Sequence, residues 1–259
     1  MAALKVAHLL QINELLARMK QTSEVGLRYR KLKTDTHVVI GVGDANQDLK
    51  GIKTHQGVSV LVCDALGDLE AYEKAWLFGN LVAWAARKSP RATTSTYSGE
   101  THAAVQTFDA ARHVAEVLTL LAGKTVIPLR NPDEWDRPAY APLAYDVVQY
   151  TDCQSLLEHL LNDRSPGAVE ERLYGYLQVL KEGLTTGAIG RLHHVASKLN
   201  YSDFLTKILK DHPPFLLLWK SGWLYTEPGR YGRAEARRQA IREAEAHGQR
   251  AASEPPKGK

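Results

Sequence analysis

The sequence predicts an α/β fold built on a mixed sheet, and two observations predict it. Three β-rich apolar runs, THVVIGVGDA, QGVSVLVC and FGNLVAWAARK, come first as a group. A long segment of helical periodicity follows, and after it strand-like and helix-like segments are interleaved, with YDVVQYT and AIGRLHHVA as the later strands. The expected order is strand, strand, strand, helix, strand, helix, helix, strand, helix, with an additional helix at the start and a charged helical tail at the end.

Each element has its own signal. Leu9, Leu10, Ile12, Leu15, Leu16 and Met19 recur at near-helical spacing, so an amphipathic helix opens the chain and ends near Lys20. VGLRYRKL is a short β-rich run. THVVIGVGDA is a nearly continuous apolar stretch that breaks at Gly43-Asp44, the pattern of a buried strand ending in an acid. The polar loop from Gly67 to Lys74 separates the next two strands. From Ser98 to Leu121 the residues Ala103, Ala104, Phe108, Ala111, Val114, Val117, Leu118 and Leu121 keep one helical face, and Gly123 is the expected stop.

The stretch from Asn131 to Pro142 holds three prolines and four charges and reads as an irregular surface insertion. YDVVQYT then runs straight into Asp152. SLLEHLL and AVEERLYGYLQVLKEGL are two helices separated by a turn around Pro166-Gly167, and SDFLTKIL is a helix with Ser202 or Asp203 at its start. Beyond Asp211, LLLWKSGWLY reads as a short packed appendage, AEARRQAIREAEAH as a charged helix and the final dozen residues as disordered. These features divide the chain into residues 1–35 (a linker helix and strand), 36–211 (the main domain) and 212–259 (the appendage and basic tail).

At 259 residues, with 44% hydrophobic and 24% charged residues, the chain has the composition of an ordinary globular protein and ample apolar surface for a core. Cys63 and Cys153 are too few for a disulfide framework or a four-ligand zinc site. Both fall in apolar runs, so they are expected as buried free thiols in a reducing setting, cytoplasmic or nuclear. No stretch reaches the roughly 18 apolar residues that span a bilayer, and no secretion signal or membrane partner is expected. The net charge of +4 sits entirely in the tail: residues 230–259 carry eight Lys/Arg and four Asp/Glu, leaving 25 of each sign in residues 1–229. Such a tail is usually a solvated helix, but it could also hold nucleic acid electrostatically without sequence preference.

Four acids stand at element edges: Asp44 ending the first core strand, Glu100 in the first turn of the long helix, Asp152 ending the later strand and Asp203 at the last core helix. If the strands are neighbours, the two strand-end acids lie side by side and helix starts bring in the other two. Like charges a few Å apart repel by roughly 1 kcal/mol in water and about 4 kcal/mol at an effective dielectric of 20, which a divalent cation offsets. Carboxylates are the hard ligands Mg²⁺ prefers, and two ions about 3.5 to 4 Å apart suit phosphodiester hydrolysis. Each acid also has a plainer reading as a turn or cap residue.

The flanks of these acids carry a resemblance. GDANQ, THQGVSVLV, LVAWAARKSPRATTSTYSGETHAA, VVQYTDCQSL and GRLHHVASKLNYSDFLTK resemble, in this order, the ribonuclease H domain of copia-type retrotransposon Pol polyproteins, over about residues 36–210. The resemblance implies a ribonuclease H-like fold, a mixed five-stranded sheet with helices on both faces. It implies an endonuclease that hydrolyses the RNA strand of RNA–DNA hybrids, with Asp44, Glu100, Asp152 and Asp203 holding two Mg²⁺ or Mn²⁺ ions. Gly43 replaces the family's usual Ser or Thr, GETHAA stands where an AEY-like sequence is usual, and the insertion at 131–142 is longer; none of these removes a carboxylate. LLQINELLARMK with VGLRYRKL resembles the family's linker from polymerase to ribonuclease H, so a polymerase domain of the same polyprotein is a candidate partner. The chain then reads as a fragment of that polyprotein or a domesticated copy.

Arg87, Lys88, Arg91, Thr94 and Ser95 could touch hybrid phosphates. His194, beside His193, could lie on the substrate side, although a strand-edge histidine pair is more often plain surface. Trp76, Trp84 and Trp135 read as packing residues. Two rivals remain: an inactive relic of the same fold serving as a connecting or partner-binding module, and a DNA-cutting nuclease of the same superfamily.

Overall fold

The computed structural model describes Asn13 and residues 29–228 apart from 48–53, 90–92, 94, 127–142, 162–170 and 208–212. The expected opening helix, the proline-rich insertion with Trp135, and the charged tail lie outside the described residues. The strands are β1 (His37–Gln47), β2 (Thr54–Asp64), β3 (Ala75–Lys88), β4 (Val147–Thr151), β5 (Arg191–His194) and β6 (Trp223–Thr226). The helices are α1 (Thr96–Leu121), α2 (Gln154–Leu161), α3 (Tyr174–Thr185), α4 (Asp203–Thr206) and α5 (Pro213–Ser221), joined by short 3₁₀ turns.

One sheet holds the strands in the order β5-β4-β1-β2-β3-β6. β1, β2 and β3 pair antiparallel, while β4 runs parallel to β1 and β5 parallel to β4. The expected mixed sheet is therefore present, and it has six strands rather than five. The sixth, β6, pairs antiparallel with β3 from Phe78↔Trp223 to Ala75↔Thr226 and comes from the stretch read as an appendage. Four residues are too few to show a two-residue alternation, so the sequence pattern concealed this strand.

Strand alternation in β1 sends Val38, Ile40 and Val42 to one face, where they meet Leu61, Cys63, Val148 and Tyr150. Val39 goes to the other face, with Val58, Val60, Val147 and the α1 residues Ala111 and Ala115. α2 and α3 pack beside α1 around Phe108, Leu156, Leu180 and Ile189. The opposite face is covered by Tyr72 of the Glu70–Glu73 turn and by Leu218 of α5, with Leu224 of β6 in the same cluster. Tyr150 Oη donates to the Tyr72 carbonyl at 2.6 Å, so the one polar atom on this large buried ring is satisfied.

Several expectations are corrected. No strand forms over the described part of VGLRYRKL, since residues 29–36 lack ladder pairing. β1 does not end at Asp44 but continues to Gln47, because β2 pairs with it through Asp44↔Gly57 to Gln47↔Thr54. α1 begins at Thr96 rather than Ser98: Ser95 is its N-cap, with Oγ accepting from Ser98 N at 3.1 Å, which puts Glu100 past the first turn. Gly123 takes a positive φ of 70° just past the end of α1, as expected for a glycine stop. Both cysteines are free, but Cys153 is only half-buried. Trp76 and Trp84 stand 57% and 51% exposed, so neither is a core residue.

The departure at Gly43 has a local cause. A Cβ built there would stand 2.6 Å from Thr107 Oγ1 and 3.4 Å from the Ala103 carbonyl, because α1 lies directly on β1. We therefore expect Gly43→Ser to destabilise the protein by about 1–3 kcal/mol in urea unfolding through overpacking. Combining it with Thr107→Ala should recover much of that loss, and strictly additive effects of the two changes would contradict the steric explanation.

Candidate metal centre

The parallel register of β1 and β4 runs from Val39↔Val147 to Val42↔Tyr150 and stops. Asp44 and Asp152 each lie two residues beyond that last pair, so the same register that closes the core aligns the two carboxylates at one end of the sheet. Glu100 arrives from α1, whose early turns are seated close to the start of β2: a Cβ on Gly99 would stand 2.8 Å from Thr54 Cγ2 and 3.4 Å from Ala45 Cβ. One carboxylate oxygen from each of Asp44, Glu100 and Asp152 lies within 4.8 Å of the others. Asp44 and Glu100 are buried, whereas Asp152 is half-buried and opens the cluster towards solvent.

Asp203 stands outside that 4.8 Å group but beside it. It is the first residue of the one-turn helix α4, and its Oδ1 accepts from Lys207 Nζ at 2.6 Å. The segment that carries it is fastened to β1 by side-chain donors. Ser202 Oγ donates to the Val42 carbonyl at 2.6 Å, Asn200 Nδ2 to the Gly43 carbonyl at 3.1 Å, and Thr206 Oγ1 to Asp44 Oδ2. A Cβ on Gly57 would meet the Ser202 carbonyl at 2.8 Å, which is how closely this segment lies on β2.

Burial and crowding set the protonation of the cluster. Burial first, then the charges of Asp203 and Asp152, push the Asp44 carboxyl up to about 7 against the opposing pull of the Thr206 hydroxyl and Lys207. Glu100 is pushed well above the usual carboxylate range by burial and then by Asp152 and Asp44. Burial alone would lower Lys207, but its hydrogen bond to Asp203 and the charges of Asp44, Asp203 and Asp152 hold it above an ordinary lysine. One described ammonium thus faces four carboxyl groups.

The donor set fits a hard divalent cation. Two oxygens on opposite sides of one Mg²⁺ are roughly 4.2 Å apart, given coordination distances of about 2.1 Å, so oxygens within 4.8 Å need close by only a fraction of an ångström. Carboxylates without soft nitrogen or sulfur ligands favour Mg²⁺ or Mn²⁺ over zinc.

Of the remaining residues singled out by sequence, Arg87 and Lys88 are exposed on β3, and Arg87 lies on the rung Ala45↔Gln56↔Arg87, next to that of Asp44. Its Nε donates to Gln106 Oε1 at 2.9 Å, and Gln106 Nε2 donates on to Gln56 Oε1 at 2.7 Å. Ser95 caps α1 near Glu100, while Arg91 and Thr94 lie outside the described residues. The histidine pair is not surface: His193 and His194 are 7% and 8% exposed, because β5 is covered by the Leu69 loop and the β4 end. His194 Nε2 lies 3.1 Å from the Asp152 carbonyl, and burial lowers its pKa. Sequence reasoning missed Asn200, Thr206 and Lys207. The spacing of Asp203, Thr206 and Lys207, three and four apart, was the available signal for one shared face.

The mixed sheet with helices on both faces and the carboxylates at the β1–β4 end make up the α/β architecture that the sequence leads one to expect. No protein-family model and no curated protein matches the sequence. Among solved structures, the N-terminal RNase H domain of a Mycobacterium tuberculosis protein is 15% identical, covering 66% of this chain and 91% of that chain, with a TM-score of 0.38. RNase H1 of Halobacterium salinarum is 15% identical, covering 64% of this chain and 92% of that chain, at 0.36. An RNase H1 isolated from compost, solved with an RNA/DNA hybrid, is 12% identical over 66% and 93% of the two chains at 0.37. Among the described residues no helix is long and apolar enough to cross a membrane.

The raised carboxyls give a sign for stability. A group whose folded pKa exceeds its unfolded value favours the fold below the unfolded value and loses that advantage as pH rises through the folded one. For Asp44 the window runs from 3.8 to about 7. We expect the thermal midpoint in EDTA to fall across that window and Mn²⁺ to raise it more at pH 8 than at pH 5. Asp44→Asn should flatten both dependences; a metal-free midpoint that climbs from pH 5 to 7 would contradict the assignment.

Proposed function

We propose that the chain is a divalent-metal-dependent endonuclease that hydrolyses the RNA strand of RNA–DNA hybrids, derived from the Pol polyprotein of a copia-type retrotransposon. The observation that carries the reading is the convergence of Asp44, Glu100 and Asp152 from three separate elements into a buried group with oxygens within 4.8 Å. Buried, mutually repelling carboxylates are costly in a protein that does not use them. The motif blocks around these acids support the copia-type origin, and a polymerase domain of the same polyprotein is the natural neighbour.

In this reading two Mg²⁺ or Mn²⁺ ions are held by Asp44, Glu100, Asp152 and Asp203. Such ions supply Lewis acidity towards a phosphoryl oxygen and lower the pKa of a nearby water. The chain's own residues do the rest. Thr206 and Asn200 fix the Asp44 carboxylate, with hydrogen bonds to its two oxygens, so that it is presented in one orientation. His194 holds the backbone at Asp152, where the cluster is open to a polyanion. Arg87 and Lys88, roughly 10 Å from β1 at two strand spacings, supply positive charge for the hybrid backbone. Ser95, the N-cap of α1, stands where backbone N–H groups favour an anion, and Arg91 and Thr94 are assigned to the same phosphate-contacting role from the sequence.

The test is cleavage of an end-labelled RNA–DNA hybrid in Mn²⁺ or Mg²⁺. Wild type should cut the RNA strand only with metal, and Asp44→Asn and Glu100→Gln should reduce cutting to background. A folded wild type that cuts neither hybrid nor duplex DNA would instead indicate a connecting or partner-binding module, and one that cuts duplex DNA a DNA nuclease of the same superfamily. Arg87→Ala should weaken hybrid binding and reduce the slope of log affinity against log salt by roughly one, without abolishing cleavage at saturating substrate.

A further inference from the structure

Asp203 opens the one-turn helix α4 and Lys207 is the extended residue just past its end, with Nζ 2.6 Å from Oδ1. Thr206, between them in the chain, donates to Asp44, so this segment is tied to the three-carboxylate group through one of its members. The Lys207 side chain is 35% exposed while that of Asp203 is 13% exposed, so the ammonium sits at the mouth of the cluster rather than inside it. An ammonium is a compact point charge with three donors. Placed here it offsets part of the negative charge of Asp44, Asp152, Glu100 and Asp203, and it occupies an oxygen of the carboxylate that the other three do not engage. A divalent cation entering the cluster meets this positive charge and competes with it.

We propose that Lys207 is a positioning residue that sets the divalent-cation affinity of the site: it takes the place of a cation on Asp203 in the metal-free protein and weakens metal uptake. The inference rests on the metal reading above and adds to it a residue outside the four acids. Its consequence is a cluster that folds without metal yet binds cations only loosely until a polyanionic substrate draws the lysine away. The hybrid backbone is such a polyanion, and Lys207 Nζ is exposed enough to exchange Asp203 for a phosphate oxygen.

Calorimetric titration with MnCl₂ tests this on the full chain, comparing wild type, Lys207→Met, Lys207→Arg and Asp44→Asn. Lys207→Met should bind Mn²⁺ on the order of tenfold tighter or more, tenfold being the size expected for removing one positive charge roughly 6 Å from a divalent ion at the dielectric of bulk water, about 80. Lys207→Arg should stay near wild type. In thermal unfolding, Lys207→Met should show a lower midpoint in EDTA but a larger rise on adding Mn²⁺, whereas a lysine with only a structural role would lower both midpoints alike. Unchanged or weaker Mn²⁺ affinity in a folded Lys207→Met protein, alongside wild-type binding that Asp44→Asn abolishes, would overturn this inference and leave the metal reading standing. Absence of Mn²⁺ binding to wild type and Lys207→Met alike would overturn both.

Discussion

The parallel pairing of β1 with β4 is the constraint on which the rest depends. Val39, Ile40 and Val42 are buried against Val147, Val148 and Tyr150 in that register, and a shift by one residue would turn their side chains to the wrong faces of the sheet. Once the apolar residues fix the register, Asp44 and Asp152 have no freedom left: each follows the last β1–β4 pair, Val42↔Tyr150, by two positions. The core therefore builds the site, and the hydrophobic energy that closes the sheet also holds two carboxylates where they repel.

That repulsion is managed by a small set of polar contacts. The Thr206 hydroxyl and the Asn200 amide solvate Asp44, and Lys207 supplies one positive charge at the mouth. The result is a cluster poised between protonation and cation binding, since burial raises Asp44 and Glu100 towards the pH at which a cation and a proton compete for them. The close approach of α1 to β1 at Gly41 and Gly43 belongs to the same device: with side chains there, α1 would sit farther from β1, and Glu100 farther from Asp44.

Much of this was legible in the residues, for particular reasons. Apolar, β-rich runs, long for β1 to β3 and short for β4 and β5, placed the five core strands, and a helical face of alanines with Phe108 placed α1. Asp44 and Asp152 stood out because an acid directly follows a buried strand pattern. What escaped were features decided by tertiary pairing. Gly43, Asp44 and Asn46 are turn formers by composition, yet β2 holds them as strand through Gln47. The four residues of β6 follow a helix and Gly222 within one apolar stretch, so nothing local separates strand from appendage. The histidine pair looked like surface because the covering of β5 by residues more than a hundred positions away in the chain leaves no trace in a local pattern.

Everything proposed for the site requires that the three carboxylates share a cation. Anomalous diffraction at the manganese edge, from crystals soaked in Mn²⁺ at neutral pH, tests this directly. The expected result is a peak bounded by Asp44, Glu100 and Asp152, at about 2.0–2.2 Å from an oxygen of each. A well-ordered cluster with no peak, or with manganese bound only elsewhere, would contradict it.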